Sequence, residues 1–173
     1  MPECLKYSID SNGIAVTIWG KGREVFTVAF EGSNPIKAEA KIAEQFPIIK
    51  VGRPENDIPL SFAHYLESGE FEPVLEPVFL WGTPFQLAVW NELLKIKKGE
   101  FAYYCDIAEA VGNYGAARAV GRAVGANPIP LLVPCHRVFA VGNLGGYTGG
   151  LNIKRKLLGI EGFPLVEKIG FSA

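Results

Sequence analysis

Residues 104–123, YCDIAEAVGNYGAARAVGRA, determine the architecture of the second half of the chain. Helix formers fill about 104–111 and about 116–125, and a turn-forming run with two glycines, residues 112–115, separates them. Two short helices around a short glycine-containing turn are typical of a helix-turn-helix. The second helix consists mostly of alanine and glycine with two arginines. Small residues allow either close approach to a partner or tight packing inside the protein, and composition alone favours neither interpretation.

Further helix signals flank this pair on both sides. Thr83-Pro84 combines an N-cap residue with proline at the first helical position, and it predicts a helix from Phe85 to about Ile96. Lys97-Lys98-Gly99 suits the end of that helix, because cations are favoured at the negative end of the helix dipole. A last helix is predicted over about 151–158, after the glycine-rich run 145–150.

The first 81 residues predict a different kind of unit. Three runs rich in β-branched and aromatic residues are separated by Asn12-Gly13 and Lys21-Gly22, which favours an antiparallel meander. Apolar residues at helical spacing follow and predict two short amphipathic helices. The strands are expected over about 5–9, 14–19 and 25–30, and the helices over about 36–46 and 58–66.

A linker is predicted within residues 70–81. This stretch holds Pro73 and Pro77, which favour an extended crossing segment over a helix. The expected fold class is therefore α+β. A small N-terminal antiparallel-sheet-plus-helix domain, residues 1–76, is joined to a mainly helical C-terminal domain, residues 77–173, that contains the helix-turn-helix.

Composition excludes several classes of protein. No apolar run reaches the length of a signal peptide or the ~18 residues of a membrane helix, so an intracellular protein is expected. Three cysteines and two histidines fit no metal motif, and we expect neither a zinc site nor a disulfide framework. Residues 1–81 carry 7 basic and 12 acidic side chains, whereas residues 82–173 carry 10 and 6. The asymmetry reflects either chance or contact of the second part with a polyanion.

Cys135, in Pro134-Cys135-His136-Arg137-Val138, is the candidate for a reactive thiol. A cysteine attacks as its thiolate, and the ordinary pKa of about 8.5 leaves little thiolate at neutral pH, so a nearby group must lower it. His136 is adjacent, but neighbours on an extended strand point to opposite faces, so either a water relays the proton or the backbone turns there. Glu161 is the acid nearest in sequence that could orient the imidazole. Structural roles for all three side chains remain open alternatives.

Five segments of the second part, in their order and spacing, resemble the O6-alkylguanine-DNA alkyltransferase family, also called methylated-DNA–protein-cysteine methyltransferases. The first 80 residues match that family only in size and apparent α+β character. The matching segments are Gly82-Thr83-Pro84-Phe85-Gln86, Ala117-Arg118-Ala119-Val120-Gly121, Asn127-Pro128-Ile129-Pro130, Pro134-Cys135-His136-Arg137-Val138 and Tyr147-Thr148-Gly149-Gly150.

The resemblance implies a stoichiometric, irreversible reaction. An alkyl group is expected to pass from O6-alkylguanine in DNA, with O4-alkylthymine as a further candidate substrate, to Cys135 after the nucleotide has been flipped out of the duplex. The resemblance assigns His136 as the base acting through water, Glu161 as its partner, and Tyr104 as the hydrogen-bond donor to the departing guanine. It implies no cofactor and no metal. The implied partner is double-stranded DNA, bound through its minor groove by a monomeric, cytoplasmic, nucleoid-associated protein.

The resemblance also implies two groups of binding residues. Arg118 is the finger that fills the gap left by the flipped nucleotide, and Asn127 ties the helix pair to the cysteine loop. Thr148 stands where the family commonly has serine, and Cys105 stands where many members have a polar residue. The substrate-binding set is Asn127, Pro130, Val138, Tyr147, Thr148 and Gly149, and the DNA-binding set is Ala117, Arg118, Ala119, Gly121 and Arg122.

Two other classes of protein fit parts of this pattern. A non-catalytic DNA-damage binding protein would share the fold, but the retention of Cys135 with His136 and Glu161 argues against it. A thiol hydrolase or redox enzyme would share the Cys-His pair. That class leaves Arg118 and the small-residue helix unexplained.

Overall fold

The computed structural model of the chain describes residues 2–164, which form two compact units. The first unit contains the residues up to Trp81 together with Pro128–Leu132, and the second contains Gly82–Asn127 and the residues from Val133 onward. The contacts thus divide the chain after Trp81. A boundary between independent domains at residues 76 and 77 stays a prediction.

The first unit is built on a five-stranded sheet with the strand order β4-β1-β2-β3-β5. Strands β1, β2 and β3 form the expected antiparallel meander, whereas β4 and β5 run parallel to their neighbours at the two edges, so the sheet is mixed. Asn12 and Gly13 both have positive φ, which matches the tight turn expected between the first two strands. The strands are β1 Glu3–Ser11, β2 Ile14–Lys21, β3 Glu24–Phe30, β4 Ile48–Val51 and β5 Glu76–Pro77.

Two helices, α1 Ile36–Gln45 and α2 Asp57–Ser68, complete the first unit and agree with the predicted segments. A core cluster joins side chains of the sheet and of α1, namely Cys4, Trp19, Phe26 and Ile42. The segment Pro128–Leu132 belongs to this unit because the Pro128 carbonyl accepts hydrogen bonds from the Val28 backbone N–H at 2.9 Å and from the Thr27 hydroxyl at 2.8 Å.

The second unit is mainly helical, as expected. Helix α3 is capped by Thr83, whose hydroxyl accepts from the Gln86 backbone N–H while the Gln86 side chain accepts from the Thr83 backbone N–H. This helix ends at Leu93 rather than near Ile96, because tighter turn hydrogen bonds, such as Ile96 N–H to the Leu93 carbonyl, replace the helical pattern. The helices are α3 Pro84–Leu93, α4 Tyr104–Ala110, α5 Ala117–Gly125 and α6 Leu151–Ile160.

Helices α4 and α5 pack on each other and form the predicted helix-turn-helix. The turn contains Gly112 and Gly115, both at positive φ, where residues with a side chain are strained. The Trp90 indole N–H of α3 donates to the Ala123 carbonyl of α5 at 2.8 Å and holds α5 against α3. Two short strands, β6 Ala102–Tyr103 and β7 Val138–Phe139, pair in parallel. β6 directly precedes α4.

Within residues 2–164, no helix combines the length and the apolar character needed to cross a membrane.

Candidate active site around Cys135

Cys135 begins a 3₁₀ turn over Cys135–Arg137 instead of continuing an extended strand. The Cys135 backbone N–H donates to the Val133 carbonyl at 2.8 Å, and the Arg137 N–H donates to the Pro134 carbonyl at 3.0 Å. The backbone therefore turns at this segment, and a water relay between Cys135 and His136 stays a prediction. Cys135 is 3% exposed, and His136 is completely buried.

The thiol lies at a cavity of about 270 Å³ within the second unit. The walls come from α4, from α5, from the cysteine turn and from the glycine-rich loop before α6. Of the residues predicted for the site, Tyr104, Gly121, Tyr147 and Thr148 line this cavity with Cys135. The complete lining is Tyr104, Gly121, Val124, Gly125, Cys135, Gly146, Tyr147 and Thr148.

His136 and Glu161 form a buried pair. The His136 Nε2 and Glu161 Oε1 atoms are 2.7 Å apart, and neither side chain is exposed. Glu161 caps the C-terminal end of α6, so this helix carries the carboxylate to the cysteine turn. A carboxylate can only accept, so Nε2 of the neutral imidazole carries the proton and Nδ1 carries the lone pair.

The charges of this pair are set by burial and by Arg137. Burial disfavours the ionised form of Glu161, but hydrogen bonds from His136 and Arg137 outweigh it and lower the pKa of the carboxyl to about 2. Burial also lowers the pKa of His136, against the opposing effect of Glu161. The imidazole is therefore neutral and the carboxylate ionised at neutral pH.

The Cys135 thiol does not have the lowered pKa expected from its neighbours. Burial raises the pKa of the thiol, and hydrogen bonds from the Asn127 and Tyr147 side chains and the charge of Lys154 offset only part of the rise. Desolvation is the largest effect, so the net shift of the thiol pKa is upward and not the lowering expected from the sequence. Nucleophilic attack requires that the proton be removed during the reaction.

Tyr104, at the start of α4, is a protonated donor at the cavity. Burial raises the pKa of its hydroxyl, and a hydrogen bond from the Gly146 backbone offsets part of the rise. The ring is held against Gly145, where an added Cβ would lie 2.7 Å from the hydroxyl oxygen. A side chain at position 145 would displace Tyr104.

The remaining predicted substrate-binding residues differ in their positions. The Asn127 side-chain N–H donates to the Val133 carbonyl at 3.0 Å and connects the end of α5 to the cysteine segment. The Thr148 hydroxyl donates to the Gly125 carbonyl at 3.2 Å, which ties the loop to α5. Pro130 groups with the first unit. Four of the six predicted substrate-binding residues are not among the residues that line the cavity, namely Asn127, Pro130, Val138 and Gly149.

Helix α5 divides its residues between two faces. Val120, Ala123 and Val124 are buried, whereas Arg118 and Arg122 are exposed. Of the small residues in this helix, Ala123 packs inside the protein, which is one of the two interpretations of the small-residue pattern. The predicted DNA-binding residues Ala117, Ala119 and Gly121 are partly exposed.

Sequence reasoning missed Val124 and Gly125 in the wall of the cavity, and it also missed Lys154, whose charge acts on Cys135. This lysine is fully buried in α6, and its Nζ donates to the carbonyls of Val138 at 2.6 Å, Gly146 at 3.1 Å and Leu144. Burial lowers the pKa of Lys154 to about 8. Its spacing of three and four residues from buried Leu157 and Leu158 places it on the apolar face of α6, a signal that was hidden by the charged neighbours Arg155 and Lys156.

The other two cysteines lie elsewhere. Cys105 is exposed on α4, and Cys4 is buried in the first unit, where burial raises its pKa to about 11. The residues that the structure describes contain no group of three or more His, Cys, Asp or Glu side chains that could hold a metal ion.

Comparison with known proteins places this site in a defined class. The model of the DNA-binding domain of 6-O-methylguanine DNA methyltransferase matches residues 84–163, which include the helix-turn-helix, the cysteine turn and Glu161. A probable methylated-DNA–protein-cysteine methyltransferase of Acanthamoeba polyphaga mimivirus is 55% identical over 82 residues, which are 47% of this chain and 55% of the viral protein. The chain thus spans about half the length of the curated relatives of this kind that it matches.

Longer alignments extend the similarity into the first unit. A methylated-DNA–protein-cysteine methyltransferase of Mycolicibacterium paratuberculosis is 41% identical over 138 residues, 75% of this chain and 82% of the relative. The crystal structure of Mycobacterium tuberculosis OGT in complex with DNA is similar with a TM-score of 0.75 at 34% identity, covering 91% of this chain and 92% of that one. The chain belongs to the methylated-DNA–protein-cysteine methyltransferase family, which confirms the resemblance of the five motifs.

Proposed function

We propose that this protein repairs DNA by accepting one alkyl group from O6-alkylguanine on the sulfur of Cys135. One observation carries the proposal: a buried cysteine opens onto a cavity while the adjacent buried histidine is bonded to a buried carboxylate. A thioether has no easy hydrolytic exit, so each molecule reacts once. Activity on O4-alkylthymine belongs to the same proposal.

The residues supply each proton that the reaction moves. His136 takes the proton of Cys135 through a water at Nδ1, and the resulting imidazolium is stabilised by Glu161. The sulfur forms a bond with the alkyl carbon as the bond from that carbon to guanine O6 breaks. Tyr104, which its raised pKa keeps protonated, donates a hydrogen bond to the guanine ring as negative charge develops on it. The guanine then takes up one proton from solvent and the imidazolium releases one, so that neutral guanine, neutral His136 and the thioether remain.

Substrate selection is assigned to the loops around the cavity. Backbone groups at Cys135 and Val138 would read the exocyclic amine of guanine. Tyr147, Thr148 and Gly149 would form the wall next to the alkyl oxygen, held to α5 by the bond from Thr148 to Gly125. Asn127 would fix the position of the cysteine segment, since it bonds Val133. Pro130 belongs to the same proposed substrate-binding set.

DNA binding is assigned to α5. The target nucleotide is flipped out of the duplex, at a cost of a few kcal/mol, and Arg118 fills the gap. Arg118 and Arg122 are exposed four positions apart on the helix, which suits contact with phosphates or the groove floor. The small side chains of Ala117, Ala119 and Gly121 would let the backbone approach the minor groove closely. A monomeric protein acting in the cytoplasm at the nucleoid is part of this proposal.

Transfer of a labelled methyl group tests the proposal. A duplex with one labelled O6-methylguanine is titrated with the protein, and the label bound to protein is counted. We expect a plateau at one methyl per protein molecule and no label on Cys135→Ala, which should still bind the duplex. Duplex binding by the native protein without transfer would instead identify a non-catalytic damage-binding protein.

A further inference from the structure

Arg137 has no role in the reaction described so far, yet its side chain donates three hydrogen bonds beside the buried pair. Its Nη2 donates to Glu161 Oε1 at 2.7 Å, and its Nε donates to Glu161 Oε2 at 3.0 Å. Its Nη1 donates to the Ile96 carbonyl at 2.6 Å. The guanidinium therefore grips the carboxylate with two parallel bonds while a third bond anchors it to the segment after α3.

The carboxylate of Glu161 is shared between two donors. Oε1 accepts from both His136 and Arg137, and Oε2 accepts from Arg137. The Arg137 side chain is only 12% exposed and Glu161 is not exposed, so solvent screens this interaction weakly. A buried carboxylate without Arg137 would strongly stabilise the protonated form of His136. The positive charge of Arg137 offsets much of this effect.

We infer that Arg137 is a positioning residue that fixes Glu161 in place and keeps His136 neutral, so that the imidazole is free to accept a proton. That His136 accepts this proton as a catalytic base rests on the proposed alkyl transfer. The protonation state of His136 is a property of the free protein, and it can be measured whether or not transfer occurs.

The charged groups around His136 act in opposite directions. Burial lowers the pKa of the imidazole most strongly, Glu161 raises it, and Arg137 and Lys154 lower it. The Cys135 thiol is neutral at rest and adds no charge, and the ring of Tyr147 lies edge-on at 6.4 Å between centroids. Removal of Arg137 takes away the positive charge that is bonded to both oxygens of Glu161, and the pKa of His136 should then rise.

Nuclear magnetic resonance titration of the histidine rings tests the inference directly. The chain contains only His136 and His64, and the exposed His64 serves as an internal control. In the native protein we expect His136 to be neutral at pH 7, with its proton on Nε2. In Arg137→Gln the midpoint of His136 should rise by about one pH unit or more, whereas Arg137→Lys should stay near the native midpoint because it keeps the charge.

Two results would overturn the inference. One is an unchanged His136 midpoint in folded Arg137→Gln, which would reduce Arg137 to a structural tie. The other is an imidazolium at pH 7 in the native protein, a measurement that needs no variant and so remains decisive if Arg137→Gln fails to fold.

The rate of methyl transfer links the inference to the proposed reaction. The acid limb of the pH–rate profile should move upward in Arg137→Gln by the same amount as the His136 midpoint, because protonated His136 cannot accept a proton. An unmoved acid limb alongside a shifted midpoint would overturn the catalytic part. A native protein that transfers no methyl group would refute the proposed function but leave the titration result standing.

Discussion

Glu161 links the chemistry of single residues to the stability of the protein. Its folded-state pKa of about 2 lies below the ordinary pKa of a glutamate. At pH values between these two pKa values, the unfolded chain therefore binds more protons than the folded protein. The stabilisation is complete above about pH 4.5 and is lost as the pH falls toward 2. On the order of 3 kcal/mol is involved.

Chemical denaturation of the native protein and of Glu161→Gln at a series of pH values measures this contribution. The native free energy of unfolding should fall steeply below about pH 4.5. The glutamine variant should be less stable at pH 7 and should show a shallower acid slope. Parallel curves for the two proteins would show that the ionisation of Glu161 is not coupled to folding.

Lys154 provides a second prediction for a single residue. Its ammonium is fully buried and donates to three backbone carbonyls, from Val138, Leu144 and Gly146. Lys154→Met keeps the approximate shape but leaves these acceptors without their donor, and we expect a loss of about 3 kcal/mol of unfolding free energy. Arg155→Met, exposed on the same helix, is the matched control and should change stability by less than about 0.5 kcal/mol. Similar losses in the two variants would contradict the buried role of Lys154.

Among the elements, helix α5 carries the most specific functional prediction. Exposed Arg118 is proposed to fill the stack when the nucleotide leaves it, and this step is needed only in a duplex. Arg118→Ala should therefore slow methyl transfer from duplex DNA far more than transfer from free O6-methylguanine. Single-turnover rates with both substrates measure the difference, and equal losses on both would refute the finger assignment.

The elements that could be predicted from sequence are those with a strong local signal. β1 to β3 have apolar alternation and glycine-containing turns, and α3 has a capping box with proline at its first position. β4 was missed because three of its four residues are exposed, and β5 was missed because it has two residues, one of them proline. Both owe their pairing to the sheet and not to their own pattern.

The residues of the candidate site could be predicted from the sequence, but their geometry could not. The motif Pro134-Cys135-His136-Arg137-Val138 identified the thiol and its neighbours, but the 3₁₀ turn depends on backbone hydrogen bonds that no residue pattern specifies. The raised pKa of Cys135 and the buried position of Lys154 both follow from tertiary burial. Burial of a charged group is not visible in a sequence whose neighbouring residues are also charged.

For the whole molecule, the distribution of charge predicts how DNA binding responds to salt. Residues 82–173 carry 10 basic and 6 acidic side chains, the reverse of the acidic excess of residues 1–81. Few cations are available for phosphates, so affinity should be modest, and it should fall about tenfold or more between roughly 50 and 200 mM salt. Fluorescence anisotropy with a labelled duplex measures this, and an affinity independent of salt would contradict the proposed contact of the second part with DNA.

The central claim, that Cys135 is the one-use alkyl acceptor, is tested most directly by locating the transferred group. The native protein is incubated with a duplex containing O6-methylguanine and digested, and the peptides are sequenced by mass spectrometry. We predict one methyl group, replacing one hydrogen, on the peptide that carries Cys135, while those with buried Cys4 and exposed Cys105 stay unmodified. A methyl group on either of those cysteines, or none on Cys135, would contradict the account.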